Sequence, residues 1–143
     1  DKTGERYLYE CPDFFELPVD GDATQKKWVL LGADSQYATG SFDGKSFLPD
    51  AVRLPGHRGR GFYAAQSFSD VPDGRRLFIG WWQTETKGMP FNQSMTVPLE
   101  LKLAQTTDGP RLTFSGSNGK EQTDSLSTYR DWLQAKGGIN TYA

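Results

Sequence analysis

Apolar residues in this chain come in short runs separated by Gly, Pro, Asp and Asn. The runs predict eight strands, at residues 14–17, 28–33, 38–42, 51–54, 62–68, 77–82, 95–103 and 111–114. Turn chemistry lies between them. Asp20-Gly21, Asp43-Gly44, Asp73-Gly74 and Asp108-Gly109 each sit between apolar runs, and Asp-Gly tolerates the positive φ of a tight hairpin. Short strands punctuated in this way predict an antiparallel all-β fold, not a helical or βαβ one. The strands fall into two groups, near residues 10–54 and 62–114. Each group is a four-stranded antiparallel meander of about 50 residues, the size of one β-propeller blade. Two blades do not close a propeller, which typically has about four to eight. A compact eight-stranded sandwich is the competing architecture for the same pattern.

The pattern changes after the last strand. Residues 115–123 are polar and Gly-rich, and in residues 124–136 Leu126, Tyr129, Trp132 and Leu133 follow at three- and four-residue spacing. That spacing predicts a short C-terminal helix, capped by Asp124 or Ser125 and stopped by Gly137-Gly138. The expected organisation is therefore a partial propeller over residues 1–114 and a loop with a helix over residues 115–143. A helix that covers a sheet edge and an interdomain connector are both readings of this tail.

Composition narrows the function classes. The chain has 143 residues and a net charge of −2, with acidic and basic residues interspersed. No footprint for nucleic acid or an anionic membrane follows from that balance, and no run is long and apolar enough for a spanning helix. Cys11 is the one cysteine and His57 the one histidine, so no intrachain disulfide and no multi-cysteine metal site is expected. Aromatic residues reach 13%, which suits a β-rich core or a sugar-binding surface alike.

The sharpest chemical signal is Tyr9-Glu10-Cys11-Pro12-Asp13-Phe14-Phe15-Glu16-Leu17. A carboxyl group flanked by aromatics and a thiol is expected in a setting less polar than water, where desolvation disfavours its charge. Kept protonated, such a group can donate to a glycosidic oxygen. Pro12 interrupts strand pairing and can turn Glu10 out of the sheet. Composition alone is equally consistent with Glu10, Asp13 and Glu16 as solvated surface acids.

Glu10-Cys11-Pro12-Asp13-Phe14-Phe15-Glu16-Leu17 resembles the acid/base motif of glycoside hydrolase family 32, the levanases, inulinases and invertases. Further motifs follow in the family's order. They are Lys27-Trp28-Val29-Leu30, the hairpin Tyr37 to Lys45, the strand Phe62-Tyr63-Ala64-Ala65-Gln66-Ser67-Phe68, the strand Gly74 to Trp82, and Met95-Thr96-Val97-Pro98-Leu99-Glu100-Leu101. Together they cover about residues 6–114 and are far more specific than any one alone. The resemblance implies a five-bladed propeller, of which this chain is about two blades, and retaining hydrolysis of β-fructofuranosyl links in levan, inulin or sucrose, with no metal or other cofactor. It gives Glu10 the catalytic acid/base role. Substrate-contact roles are expected for Asp13, Tyr63, Gln66, Trp81 and Trp82. Trp81 and Trp82 are adjacent, so they face opposite sides of a strand, one toward the core and one able to stack on a sugar. Asn92 and Gln93 either bind sugar hydroxyls or close a turn.

The chain departs from the family pattern in two respects. The nucleophile motif Trp-Met-Asn-Asp-Pro-Asn-Gly and the stabilising Arg-Asp-Pro motif both lie upstream of the acid/base in the family, and this chain has no Asp-Pro pair. A positioned acid without its nucleophile cannot run double displacement, so the chain is expected to be inactive alone. Its expected partners are a fructan or sucrose substrate and either the remaining N-terminal blades or a second copy, with no nucleic acid and no membrane. The resemblance also implies a secreted or periplasmic enzyme. Second, Gly61 stands where the family usually has Asp, in the loop His57-Arg58-Gly59-Arg60-Gly61. That loop is either an anion site or a solvated connection. Two other functions fit the motifs less fully: a non-catalytic carbohydrate-binding module derived from such an enzyme, and an arabinan-active propeller glycosidase.

Overall fold

A computed structural model of the chain describes residue 8 and residues 10–51, 53–56 and 59–116. The helix expected at residues 124–136, and His57 and Arg58, lie outside the described residues. The described part contains nine strands and no helix.

The first meander consists of β1 (Asp13–Val19), β2 (Asp22–Leu31), β3 (Tyr37–Phe42) and β4 (Phe47–Pro49), each antiparallel to the next. Its first turn follows from Asp20-Gly21. Val19 pairs with Asp22, and Asp20 and Gly21 take φ of 50° and 77°, the positive values that a two-residue hairpin with right-handed twist requires. The fourth strand is not the expected run at residues 51–54. The Asp43 carboxylate accepts the N–H groups of Lys45 and Ser46, so the chain reverses at once and Phe47–Pro49 pairs with β3 instead. Pro49 is tolerated because β4 is an edge strand. Of the expected run, Leu54 makes a single bridge to Tyr37.

The second meander consists of β5 (Phe62–Phe68), β6 (Arg76–Trp82), β7 (Ser94–Met95), β8 (Leu99–Thr106) and β9 (Gly109–Gly116). β7 and β8 both lie along β6 and act as one interrupted strand. The expected continuous strand at residues 95–103 breaks at Thr96–Pro98, where proline supplies no N–H. Thr96 bridges the break: its N–H donates to the Gly80 carbonyl at 2.8 Å, and its hydroxyl accepts the Gly80 N–H at 3.0 Å. The chain thus contains the two successive four-stranded meanders expected of two blades.

Only one parallel bridge, Val19 to Leu103, joins the meanders by strand pairing. Most of the join is a shared core. Phe15, Leu17 and Val19 alternate inward along β1, and they meet Phe62, Phe78, Leu99, Leu101, Leu103 and Leu112 of the second meander. The Arg76 guanidinium lies 4.5 Å from the centre of the Phe15 ring, a cation–π contact across the seam. Tyr37, 1% exposed, reaches from β3 to accept the Leu112 N–H on its hydroxyl at 2.9 Å. The opposite face of the first meander carries Phe14 stacked on Trp28 at 4.6 Å, with the Phe42 and Phe47 rings edge-on to Phe14.

Candidate active site

The segment that carries Glu10 leaves the sheet just before β1 begins. Glu10 and Cys11 have φ of 50° and 37°, two consecutive non-glycine residues in the left-handed region. Each costs about 1–2 kcal/mol through the clash of Cβ with the carbonyl oxygen, so the segment persists only where its surroundings hold it. Four hydrogen bonds do so. The Ala33 N–H donates to the Glu10 carbonyl at 3.1 Å. The Gln66 side-chain amide donates to the Cys11 carbonyl at 2.8 Å. The Tyr63 hydroxyl donates to Glu10 Oε2 at 2.7 Å. The Ser67 N–H donates to Asp13 Oδ2 at 2.6 Å.

Three of these bonds come from β5, and a bulge in β5 makes that possible. Tyr63 pairs with Trp81 and Gln66 pairs with Ile79, so Ala64 and Ala65 both stand against Gly80. Ala64 takes φ of 48°, and its N–H is held by the Ala33 carbonyl at 2.8 Å. On a regular strand, residues three apart face opposite sides. The extra residue puts Tyr63 and Gln66 on one face, beside the Glu10-Cys11 turn. Ala33 is therefore a hinge post: its N–H holds Glu10 and its carbonyl holds the bulge.

The register also separates the tryptophans. Trp81, 39% exposed, shares the face of Tyr63. Trp82 is opposite Phe62 and half-buried on the core side. Asp13 and Gln66 lie beside Glu10, each bonded to backbone. Asn92 accepts from the Thr86 hydroxyl at 3.1 Å and Gln93 takes φ of 60°, which marks a turn. Gly61 has φ of 76°, and a Cβ there would collide with the Gln83 carbonyl oxygen, so this backbone has no room for the aspartate of the family pattern.

One expectation is corrected. Glu10 is exposed, not desolvated. The two left-handed residues throw its side chain off the sheet, and Tyr63 offers it a hydroxyl rather than a ring face. Three elements were missed from the sequence: Ala33, the Ser67 backbone and the bulge. The available signal for the bulge was alternation, since a regular β5 would place Gln66 on the core face of Phe62. Among the described residues, no group of three or more His, Cys, Asp or Glu side chains is arranged to hold a metal ion. Chemically, the site presents the Glu10 carboxyl group held by the Tyr63 phenol, with the exposed Trp81 ring on the same sheet face as Tyr63.

The family model for the glycosyl hydrolases family 32 N-terminal domain matches residues 1–114. A levanase of Bacillus subtilis is 42% identical over 133 residues, spanning 78% of this chain and 20% of that protein. An extracellular exo-inulinase of Aspergillus niger is 32% identical over 121 residues, with 67% and 22% covered. Among solved structures, an exo-inulinase from Aspergillus awamori superposes with a TM-score of 0.64 at 26% identity, over 78% of this chain and 27% of that one. The chain thus spans about a fifth of the length of the curated relatives it matches.

Proposed function

The chain belongs to glycosyl hydrolases family 32, and on that premise we propose that it is the acid/base-bearing part of a retaining hydrolase of β-fructofuranosyl linkages in levan, inulin or sucrose. The observation that carries this reading is the Glu10 carboxylate, set on a strained turn and bonded to Tyr63. In the first step, a nucleophilic carboxylate from another part of the protein attacks the anomeric carbon. Glu10 gives its proton to the departing oxygen. In the second step, Glu10 takes a proton from water, and that water cleaves the covalent fructosyl intermediate. The two carboxyl groups then stand about 5–5.5 Å apart, since no water fits between nucleophile and sugar.

In this reading Tyr63 orients Glu10, and Trp81 offers its exposed face to a sugar. Asp13 holds β5 in place beside Glu10 through the Ser67 N–H, and Trp82 backs the strand from the core side. Residues 1–114 supply about two propeller blades. The aromatic face around Phe14 receives a neighbouring blade. The relatives named extracellular support secretion.

The test is product analysis with the protein that contains this chain, on levan, inulin, sucrose and arabinan, with NMR of the first-formed anomer. Release of fructose units as the β-anomer is expected. Arabinose release, or the α-anomer of fructose, contradicts the proposal.

A further inference from the structure

We propose that Gln66 is a positioning residue for Glu10 and not a sugar ligand. This rests on the reading of Glu10 as the acid/base. Both hydrogens of the Gln66 amide are committed: Nε2 donates to the Cys11 carbonyl at 2.8 Å and to the Ala65 carbonyl at 3.0 Å. The two acceptors belong to the two strained backbone units of the site. Cys11 follows Glu10 in the left-handed turn, and Ala65 follows Ala64 in the bulge. One planar amide therefore ties the turn that aims Glu10 to the bulge that aims Tyr63. The Ala33 backbone makes the same connection from the other side, through Glu10 and Ala64. Two parallel ties fix the relative position of a carboxylate and its phenol partner, which neither strand pairing nor the core controls there.

The consequence is a loss of aim, not of sugar affinity. Without the amide, the Cys11 carbonyl is released and the 10–11 turn can relax toward unstrained φ. The Glu10 carboxyl then moves relative to the departing oxygen, and a displacement near 1 Å costs up to about a hundredfold in rate.

The experiment compares two substrates with the enzyme that contains this chain. Sucrose has a poor leaving group that needs a proton. An aryl β-fructofuranoside with an acidic phenol leaves without one. For Gln66→Met, kcat/KM on sucrose should fall by about ten- to a hundredfold, while kcat/KM on the aryl substrate stays within about threefold. Gln66→Lys restores a donor to the Cys11 carbonyl and should recover most of the loss, even if the Met variant folds poorly. Equal losses on both substrates, no loss on sucrose, or no recovery with Lys overturns the proposal. Glu10→Ala on the same pair separates this from the underlying reading. If Glu10→Ala spares the aryl substrate and Gln66→Met does not, only the Gln66 role fails. If Glu10→Ala shows no split, the acid/base reading itself fails.

Discussion

Tyr37→Phe removes one oxygen from the seam between the meanders. That hydroxyl accepts the Leu112 N–H at 2.9 Å, and both residues are buried, at 1% and 7% exposure. Phenylalanine fills nearly the same space, so packing changes little and the N–H is left without its acceptor. An orphaned buried donor costs about 1–3 kcal/mol. At roughly 4 °C per kcal/mol for a chain of this size, the midpoint should fall by about 4–12 °C. Thermal unfolding followed by far-UV circular dichroism measures it. The pH dependence adds a second arm. Burial pushes the Tyr37 phenol above its usual value, opposed by the Leu112 N–H and the Arg111 charge. A raised folded-state value means that the stabilisation is complete below the unfolded value of about 10 and is lost as pH rises through the folded one. The gap between wild type and Tyr37→Phe should therefore narrow above about pH 10. An unchanged midpoint at neutral pH refutes the reasoning, because Leu112 would then have another acceptor.

Three further outcomes are expected. Asp22 opens β2 and Asp43 and Asp73 sit in turns, and hydrogen bonds from Thr24, from Ser46 and Lys45, and from Arg75 hold their carboxyls below the ordinary value. Depressed values contribute stability above the unfolded value of about 3.9 that is lost as pH falls through the folded ones, so urea midpoints of the triple Asn variant and the wild type should converge below about pH 4. Gly61→Ala forces a Cβ against the Gln83 carbonyl at φ of 76° and should cost about 1–3 kcal/mol in chemical denaturation; a neutral result means that the loop has shifted. Among the described residues β4 and β5 are edge strands, and Leu48, Phe68 and Phe91 are exposed hydrophobics, so light scattering on the 143-residue chain should find self-association; a stable monodisperse monomer contradicts this.

The fold was legible in the sequence wherever local chemistry decides the backbone. The Asp20-Gly21 turn and the strand Phe62–Phe68 were readable from turn residue type and from an apolar run. The fourth strand was misplaced because Asp43 closes its turn through side-chain bonds to Lys45 and Ser46, and the strength of such a turn is not visible in hydropathy. The meeting of Glu10 with Asp13, Tyr63 and Gln66 came from the motif resemblance rather than from periodicity. Its mechanics were hidden because they depend on backbone groups. The bulge uses alanine where glycine would have signalled it, and Ala33 acts only through its peptide N–H and carbonyl. The expected desolvation of Glu10 failed for a related reason. Sequence neighbours such as Cys11 predict polarity only if the backbone keeps them packed around the carboxyl, and two left-handed residues do not.

The most direct test of the acid/base assignment is an azide rescue of Glu10→Ala in the protein that contains this chain, using an aryl β-fructofuranoside. With the base removed, the fructosyl intermediate waits for a nucleophile that needs no deprotonation. Added azide should raise turnover and yield β-fructofuranosyl azide, the retained product. Full activity of Glu10→Ala without azide, or the absence of any β-azide product from a folded variant, would contradict the account.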